Sequence, residues 1–200
     1  KNAETENRLI AIENVAAQIS GGDYNILQNK HVKDGLGSVA EPLNQMAESL
    51  QNSFNSLEEK EWMSSAIAKL NQRTMGEKSI EKLAHEILES IIDLTESSVG
   101  AIFLQDDSNH LQLTGSYALN DSSIKRTLKV GEGIVGEAFR SAKEISIQNI
   151  ADDESTISYA SGNTRPKHII AFPITRYNIP LGVIELGTTG TYSQLQLEFL

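Results

Sequence analysis

The sequence predicts an α+β chain of two unlike parts: a module of parallel helices forming a coiled coil, joined by a helical stalk to a domain on an antiparallel sheet. Three observations carry that prediction. Residues 1 to about 75 are rich in Ala, Glu, Gln, Asn, Ser and Leu and hold no β run. Apolar residues in that half recur at steps of three and four. From residue 98 to 192, short β-branched runs alternate with Gly, Asn and Asp turns.

In NRLIAIENVAAQISGGDY, Leu9, Ile12, Ala16 and Ile19 follow at steps of three, four and three, which lines one side of a coiled-coil helix. Gly21 and Gly22 end it. A connector with apolar anchors at Ile26, Leu27 and Val32 leads to a second series, Val39, Leu43, Met46 and Leu50, with Leu57 one heptad further. A connector of that length does not make a tight antiparallel hairpin, so the helices are expected to run parallel. Two narrow apolar stripes bury themselves well only against a second copy, which makes a homodimer the expectation. Pro42 requires the second helix to start late, near Ser38 to Glu41, or to bend. The spacing fails across EEKEW and resumes in a new phase at Met63, Ile67 and Leu70, as at the exit from a bundle into a stalk. Thr74 and Glu77 have capping-box spacing, so a helix boundary is expected between 74 and 79.

AAQISGGDYN, DGLG and LNQMAESL together resemble the HAMP domain, over residues 8–56. The shared marks are a glycine-rich end of the first helix, an Asp-Glu-x-Gly start of the second and an Asn-x-Met within it. Gly35 departs from the pattern, standing where that family has glutamate. The resemblance implies a parallel homodimeric four-helix bundle that relays conformational signals from membrane receptors. Leu9, Ile12, Ala16, Ile19, Val39, Leu43, Met46 and Leu50 are then its dimer and switch core.

In SIEKLAHEILESIIDLTESS, the residues Ile80, Leu83, Ala84, Ile87, Ile91 and Leu94 form a broad apolar stripe for packing on a sheet. The strands read from SVGAIFLQ, HLQLTGSYA, RTLKV, EISIQN, HIIAFPIT and LGVIELGT, with DDSN and YNIP closing hairpins. Runs of strands with helices set to one side indicate α+β rather than an alternating parallel sheet. The order VGAIFLQDD, LQLTGSYAL, VGEGIVGEAFRSAKEISIQNI, RPKHIIAFPI, PLGVIELGT resembles the GAF domain over residues 78–200. EWMSSAIAKLNQRTMGE looks like the linker between HAMP and GAF modules in bacterial sensor histidine kinases, many of them hybrids. The expected organisation is a HAMP-like module at 1–56, a stalk at 57–78, a GAF-like domain at 79–192 and the start of an output helix at 193–200, where Ser193 and Gln196 form a capping box.

The GAF resemblance implies a small-molecule pocket between the sheet and its covering loops, drawn here from Tyr117, Phe139, Ile157, Tyr159, Ile170, Phe172 and Thr175. Each of these also serves as an ordinary core residue. The Asn-Lys-x-Phe-Asp-Glu signature of cyclic-nucleotide GAF domains is missing. GEGIVG, Gly131 to Gly136, satisfies the dinucleotide pattern, with Asp152 and Asp153 about 20 residues on. KRTLKV before it is polar and edge-like, so backbone turns that pack a short helix are the expected use.

The histidines His31, His85, His110 and His168 lack paired metal-ligand spacing, no two carboxylates are placed across a cleft, and no serine has an evident base partner. No metal, cofactor or catalysis is expected of this segment. A net charge of −10 argues against a nucleic-acid surface. The absence of cysteine removes disulfides, thiolate metal sites and a thiol nucleophile. No apolar run is long enough to span a bilayer, and KNAETENRL lacks the hydrophobic core of a signal peptide.

The expected function is the cytoplasmic sensory and relay portion of an inner-membrane two-component receptor. It meets the membrane only through segments outside this sequence and drives a kinase or other output domain in the same parent chain. The alternative makes the GAF half the primary sensor of an intracellular small molecule, with a kinase, cyclase or chemotaxis output.

Overall fold

The computed structural model describes residues 6, 10, 13–14, 16–22, 37–76, 78–119, 125–148, 157–159 and 162–200. Leu9, Ile12, Ile26, Leu27, His31, Val32, Gly35, Glu77, Asp152 and Asp153 lie outside the described residues, as do the side chains of Val39, Leu43, Ile157 and Tyr159. The chain divides into two compact units, Lys1–Met63 and Ser64–Leu200.

In the first unit, residues 16–20 are helical and the chain leaves them through Gly21 and Gly22. Gly21 donates its N–H to the Ala17 carbonyl at 2.9 Å and Gly22 donates to Ile19 at 3.1 Å, with Gly22 at φ +86°. Helix α1, Gly37–Thr74, then starts slightly ahead of the expected range and takes Pro42 into its second turn. Proline there removes one intrahelical N–H close to an end whose first donors are unpaired in any helix. Ile19 and Ala47 are buried in this unit, whereas Met46 is 47% exposed and Leu57 63%. Ala16 is exposed and Leu50 half-buried.

The last turns of α1 belong to the second unit, where Leu70 packs against the core. Arg73 lies 3.5 Å from the Ser90 hydroxyl and 3.6 Å from the Asp93 carboxylate. Thr74 donates its hydroxyl back to the Asn71 carbonyl at 3.0 Å, so it closes α1 instead of opening the next helix. That corrects the expected cap. Helix α2, Ile80–Thr95, is capped by Ser79, whose extended backbone (φ −65°, ψ 155°) lets its Oγ accept the Lys82 N–H at 3.3 Å. The boundary falls within the expected stretch, and the residue immediately before the first helical turn does the capping.

Six strands follow in one sheet: β1 Val99–Gln105, β2 His110–Tyr117, β3 Thr127–Lys129, β4 Ile145–Gln148, β7 His168–Arg176 and β8 Ile179–Thr188. Their spatial order is β3-β2-β1-β8-β7-β4, with antiparallel pairing throughout. Helix α3, Gly133–Ser141, precedes β4, and helix α4, Gln194–Phe199, ends the described chain. A separate hairpin of β5, Ile157–Tyr159, and β6, Gly162–Thr164, is absent from the sequence expectation, because three-residue strands are too short to show alternation.

Both expected hairpin turns form by local chemistry. Asp106 Oδ1 accepts the N–H groups of Ser108 and His110 at 2.9 and 2.8 Å, closing β1 on β2. Tyr177 and Asn178 both adopt positive φ (52° and 64°), the two-residue turn whose twist matches its strands, and close β7 on β8.

The sheet is covered on both faces. On one, Leu88, Ile91 and Ile92 of α2 meet Ile102, Ile170, Ile184 and Leu186. On the other, Val135, Ala138 and Phe139 of α3 meet Ala101, Phe103, Leu111, Ala171 and Val183. Two buried faces explain why β1 and β8 read as near-continuous apolar runs. The Ser193–Gln196 capping box forms at the start of α4, with the Gln196 N–H donated to Ser193 Oγ at 3.2 Å and the Ser193 N–H to Gln196 Oε1 at 2.8 Å.

A buried polar chain ties the end of α2 to the entry into α4. Ser97 Oγ lies 2.7 Å from Thr95 Oγ1 and 2.9 Å from the Tyr192 hydroxyl, whose pKa burial pushes up to about 12. Gln196 donates its side-chain N–H to the Thr95 carbonyl at 3.0 Å. Tyr192→Phe removes one bond of this chain while keeping the ring, so urea unfolding is expected to show a loss of about 1 kcal/mol.

Candidate functional site

One row of residues crosses the sheet on the face that α3 covers. The strand register pairs Ser116 with Ala101, Ala101 with Glu185, Glu185 with Ala171, and Ala171 with Ile145. Directly paired residues share a face, and Ala101, Ala171 and Ile145 pack with Val135, Ala138 and Phe139 of α3, which fixes the side. Glu185 is thus a carboxyl on a central strand, flanked by two alanines that reach little further than the backbone.

The Glu185 side chain is partly buried. Among the described residues, no hydrogen-bond donor or cation meets its carboxyl, and burial alone pushes its pKa up from 4.5 to about 7. The charged pair on α3, Glu137 and Arg140, is closed on itself at 2.7 Å. The carboxyl therefore stands on a floor that is apolar except for Ser116 at the far end of the row. That arrangement can hold and orient a polar group, and among the described residues no second titratable side chain faces it.

The glycine motif beside this face is used in folding. Gly131 and Gly133 take positive φ (87° and 64°), and a Cβ on Gly136 would stand 2.6 Å from the Lys129 carbonyl oxygen. Gly131 donates its N–H to Gly136 at 2.9 Å, and Gly136 donates to Glu132 at 3.0 Å. The Glu132 carboxylate, held below its usual pKa by Lys125 and the Lys129 N–H, accepts from them at 2.8 and 3.0 Å. The strand before the motif, β3, pairs antiparallel with β2, so the parallel βαβ unit of a dinucleotide site is not formed.

Of the seven residues expected to line a pocket, the five whose side chains are described are divided between the two faces and an exposed strand end. Phe139 lies on the α3 side with Glu185. Ile170 and Phe172 belong to the α2-side core. Tyr117 pairs with Gly100, where an added Cβ would meet Leu88 and Leu186, so Tyr117 shares that same α2 side. Thr175 is exposed beyond an irregularity in the β7–β8 register. Ile157 and Tyr159 lie in β5, with their side chains outside the described residues. Glu185 was not singled out in the sequence, although a charge inside GVIELG interrupts an apolar central strand.

A second polar pair lies on the α2 side. No serine is expected from sequence to have a base partner, yet His168 Nε2 lies 2.7 Å from Ser146 Oγ, brought there by the β4–β7 register. His168 is fully buried, which holds its pKa below the ordinary histidine value. Its Nδ1 faces the Tyr192 N–H at 3.5 Å and can only accept, so Nε2 carries the proton and donates to Ser146. Ser146 is exposed on β4, and with the imidazole lone pair turned away from the hydroxyl it would have to deprotonate, the pair serves as a tie between β4 and β7.

His85 pairs with Glu89 at 3.2 Å on the surface of α2, and His110 begins β2. Among the described residues, no three His, Asp or Glu side chains gather as a metal site would need.

Residues 77–200 match the family model described as GAF domain. The chain belongs to the GAF domain family. Solved structures share the GAF fold at low identity. One is the GAF domain of a phosphoenolpyruvate-protein phosphotransferase from Coxiella burnetii, with 16% identity over 68% of this chain and 84% of that one and a TM-score of 0.57. A second is the nlh2 GAF domain of A. aeolicus in an inactive state, with 21% identity, 70% and 88% coverage and a TM-score of 0.55. A third is a free methionine-R-sulfoxide reductase of Neisseria meningitidis in complex with its substrate, with 12% identity, 70% and 80% coverage and a TM-score of 0.52. No curated protein matches the chain. Among the described residues of this GAF protein, no helix is long and apolar enough to cross a membrane.

Proposed function

We propose that this chain is a sensory and relay segment of a signalling receptor. Its GAF domain takes up a small molecule on the α3-covered face of the sheet. Its N-terminal helices, paired in parallel with those of a second copy, carry the resulting change along the chain. The observation that carries the sensory part is Glu185, since a partly buried carboxyl that meets no donor among the described residues costs stability that a bound ligand would return.

The relay part rests on the apolar seam of α1, where Met46 and Leu57 stay largely exposed, together with the HAMP-like marks of residues 8–56. On this reading Leu9, Ile12, Ala16, Ile19, Val39, Leu43, Met46 and Leu50 form a switching core. Its two packings differ by on the order of a few kcal/mol, so that a modest input biases them. The receptor is a histidine kinase of a two-component system, with this portion on the cytoplasmic side of the inner membrane and the membrane-spanning and output segments elsewhere in the parent chain.

A GAF-fold neighbour is a reductase, which raises an enzymatic alternative. This sequence holds no cysteine, hence no thiolate to attack a sulfoxide, and binding without turnover is the reading adopted. Leu43→Glu places a charge in the seam and is expected to convert the dimer to a monomer in sedimentation equilibrium. A variant that dimerises with unchanged affinity would refute the assigned seam.

A further inference from the structure

A run of polar contacts joins the edge of the sheet to the start of α4. Ser146 Oγ, exposed on the edge strand β4, accepts from His168 Nε2 at 2.7 Å. His168 Nδ1 accepts the Tyr192 N–H at 3.5 Å, and the centres of the two rings stand 4.9 Å apart. The Tyr192 hydroxyl continues the run to Ser97 and Thr95 at the end of α2, and the Thr95 carbonyl accepts from Gln196 of α4. Tyr192 immediately precedes Ser193, the cap of that helix. We infer that His168 is a proton-operated latch: neutral, it holds the entry to α4 against the sheet, and protonated, it releases it. The inference needs neither the ligand face nor the seam of α1.

A neutral imidazole has one N–H and one lone pair, and here both are engaged, the N–H by Ser146 and the lone pair by Tyr192. A second proton can go only on Nδ1, where it would point at the Tyr192 N–H. Two donors then face each other at a side chain fully closed off from solvent. Turning the ring over does not help, because both nitrogens of an imidazolium donate. The Tyr192 backbone must therefore move, and the cap of α4 moves with it. Burial opposes the charge on His168 and the exposed Glu144 carboxylate just before β4 favours it; burial is the stronger, so the latch opens below the ordinary histidine range. Tyr192, the titratable group packed on the ring, keeps its own proton, its pKa being pushed up to about 12. Arg165 and Lys167 ahead of His168, Glu96 after α2 and Glu198 on α4 are exposed, and among the described residues Glu144 is the charged group that acts on the ring.

The test is an NMR titration of the full chain, 15N-labelled, from pH 7.5 to pH 5. At the start the His168 ring signals should place the proton on Nε2. As pH falls, His168 should titrate with a midpoint below 6.5, and the amides of Tyr192, Ser193 and Leu197 should shift with the same midpoint while the sheet stays folded. The exchange protection factor of the Leu197 amide should fall by about tenfold across that step, as the loss of one anchoring hydrogen bond gives. His168→Asn does not titrate, and its carboxamide oxygen can accept the Tyr192 N–H, so the step should vanish in that variant. Glu185, on the other face with a pKa of about 7, should titrate there as before. If the variant does not fold, the titration of the unaltered protein decides alone. The latch is overturned if Nδ1 carries the proton at pH 7.5 or His168 stays neutral to pH 5. It is equally overturned if His168 titrates without Tyr192 and Leu197 following, if the step survives in His168→Asn, or if all native signals are lost together.

Discussion

Gly182→Ala is expected to destabilise the GAF domain by about 3 kcal/mol or more, at the upper end of what overpacking does. Gly182 lies on β8, in the middle of the sheet, paired with Leu104 of β1 and Ile174 of β7. A Cβ there would stand 2.3 Å from the Phe103 carbonyl oxygen and 2.6 Å from the Leu104 side chain. The first neighbour is backbone, fixed by hydrogen bonds on a central strand, so it cannot rotate away as a side-chain tip would. The strands must separate, and the central pairing with them. Gly190→Ala is the control, because its nearest atom, the Thr188 hydroxyl, is an ordinary 3.8 Å away. Urea midpoints for both variants decide the matter: a Gly182 variant as stable as the Gly190 variant would mean that β1 and β8 are not packed as described.

Glu185→Gln is expected to stabilise the domain at pH 8 and leave it nearly unchanged at pH 4. In the unfolded chain the carboxyl titrates near 4.5, and in the folded domain burial raises this to about 7. Below the lower value both states are protonated and the group's contribution is fully retained. As pH rises from 4.5 toward 7, the unfolded chain gives up its proton while the folded domain keeps it, so stability is lost across that window and levels off above it. The shift corresponds to a penalty of about 3 kcal/mol at pH 8, an upper figure because the side chain keeps some access to water. Glutamine does not titrate and escapes the penalty. Denaturation of both proteins at pH 4, 6 and 8 reads the difference directly, and a gap independent of pH would mean a solvated carboxyl.

The sheet was legible because its strands are buried on alternate or both faces and separated by turns that announce themselves. Asp106 to Asn109 and Tyr177 to Asn178 are local devices, and local chemistry is what a sequence displays. The stripe of α2 was read in part: Ala84 and Ile91 are buried as expected, but Ile80 is exposed, and the deepest contacts come from Leu88 and Ile92, one helical step round. Which sheet face a strand residue joins was not legible. Tyr117, Ile170 and Phe172 point to the α2 side and Phe139 sits on the other, and that division depends on register, including a shift between Ile102 and Phe103 that no local pattern records. The Ser146–His168 bond has the same origin, since it joins residues of strands paired across 22 positions of sequence. Glu185 was legible in principle, as a charge within an apolar central strand, but its lack of a partner is a property of the assembled sheet.

The relay account stands on two copies of α1 running side by side in the same direction, and engineered cysteine gives the most direct measurement of it. The sequence holds no cysteine, so Met46→Cys supplies a single thiol per chain. A disulfide forms only where two Cα atoms approach to about 4.4–6.8 Å. In a parallel, in-register pair position 46 faces its own counterpart, whereas Glu48 lies well round the helix from it. The account predicts rapid oxidation of the Met46→Cys protein to a covalent dimer on a non-reducing gel, with Glu48→Cys remaining monomeric. A Met46→Cys protein that stays monomeric, or that cross-links no faster than Glu48→Cys, would contradict it.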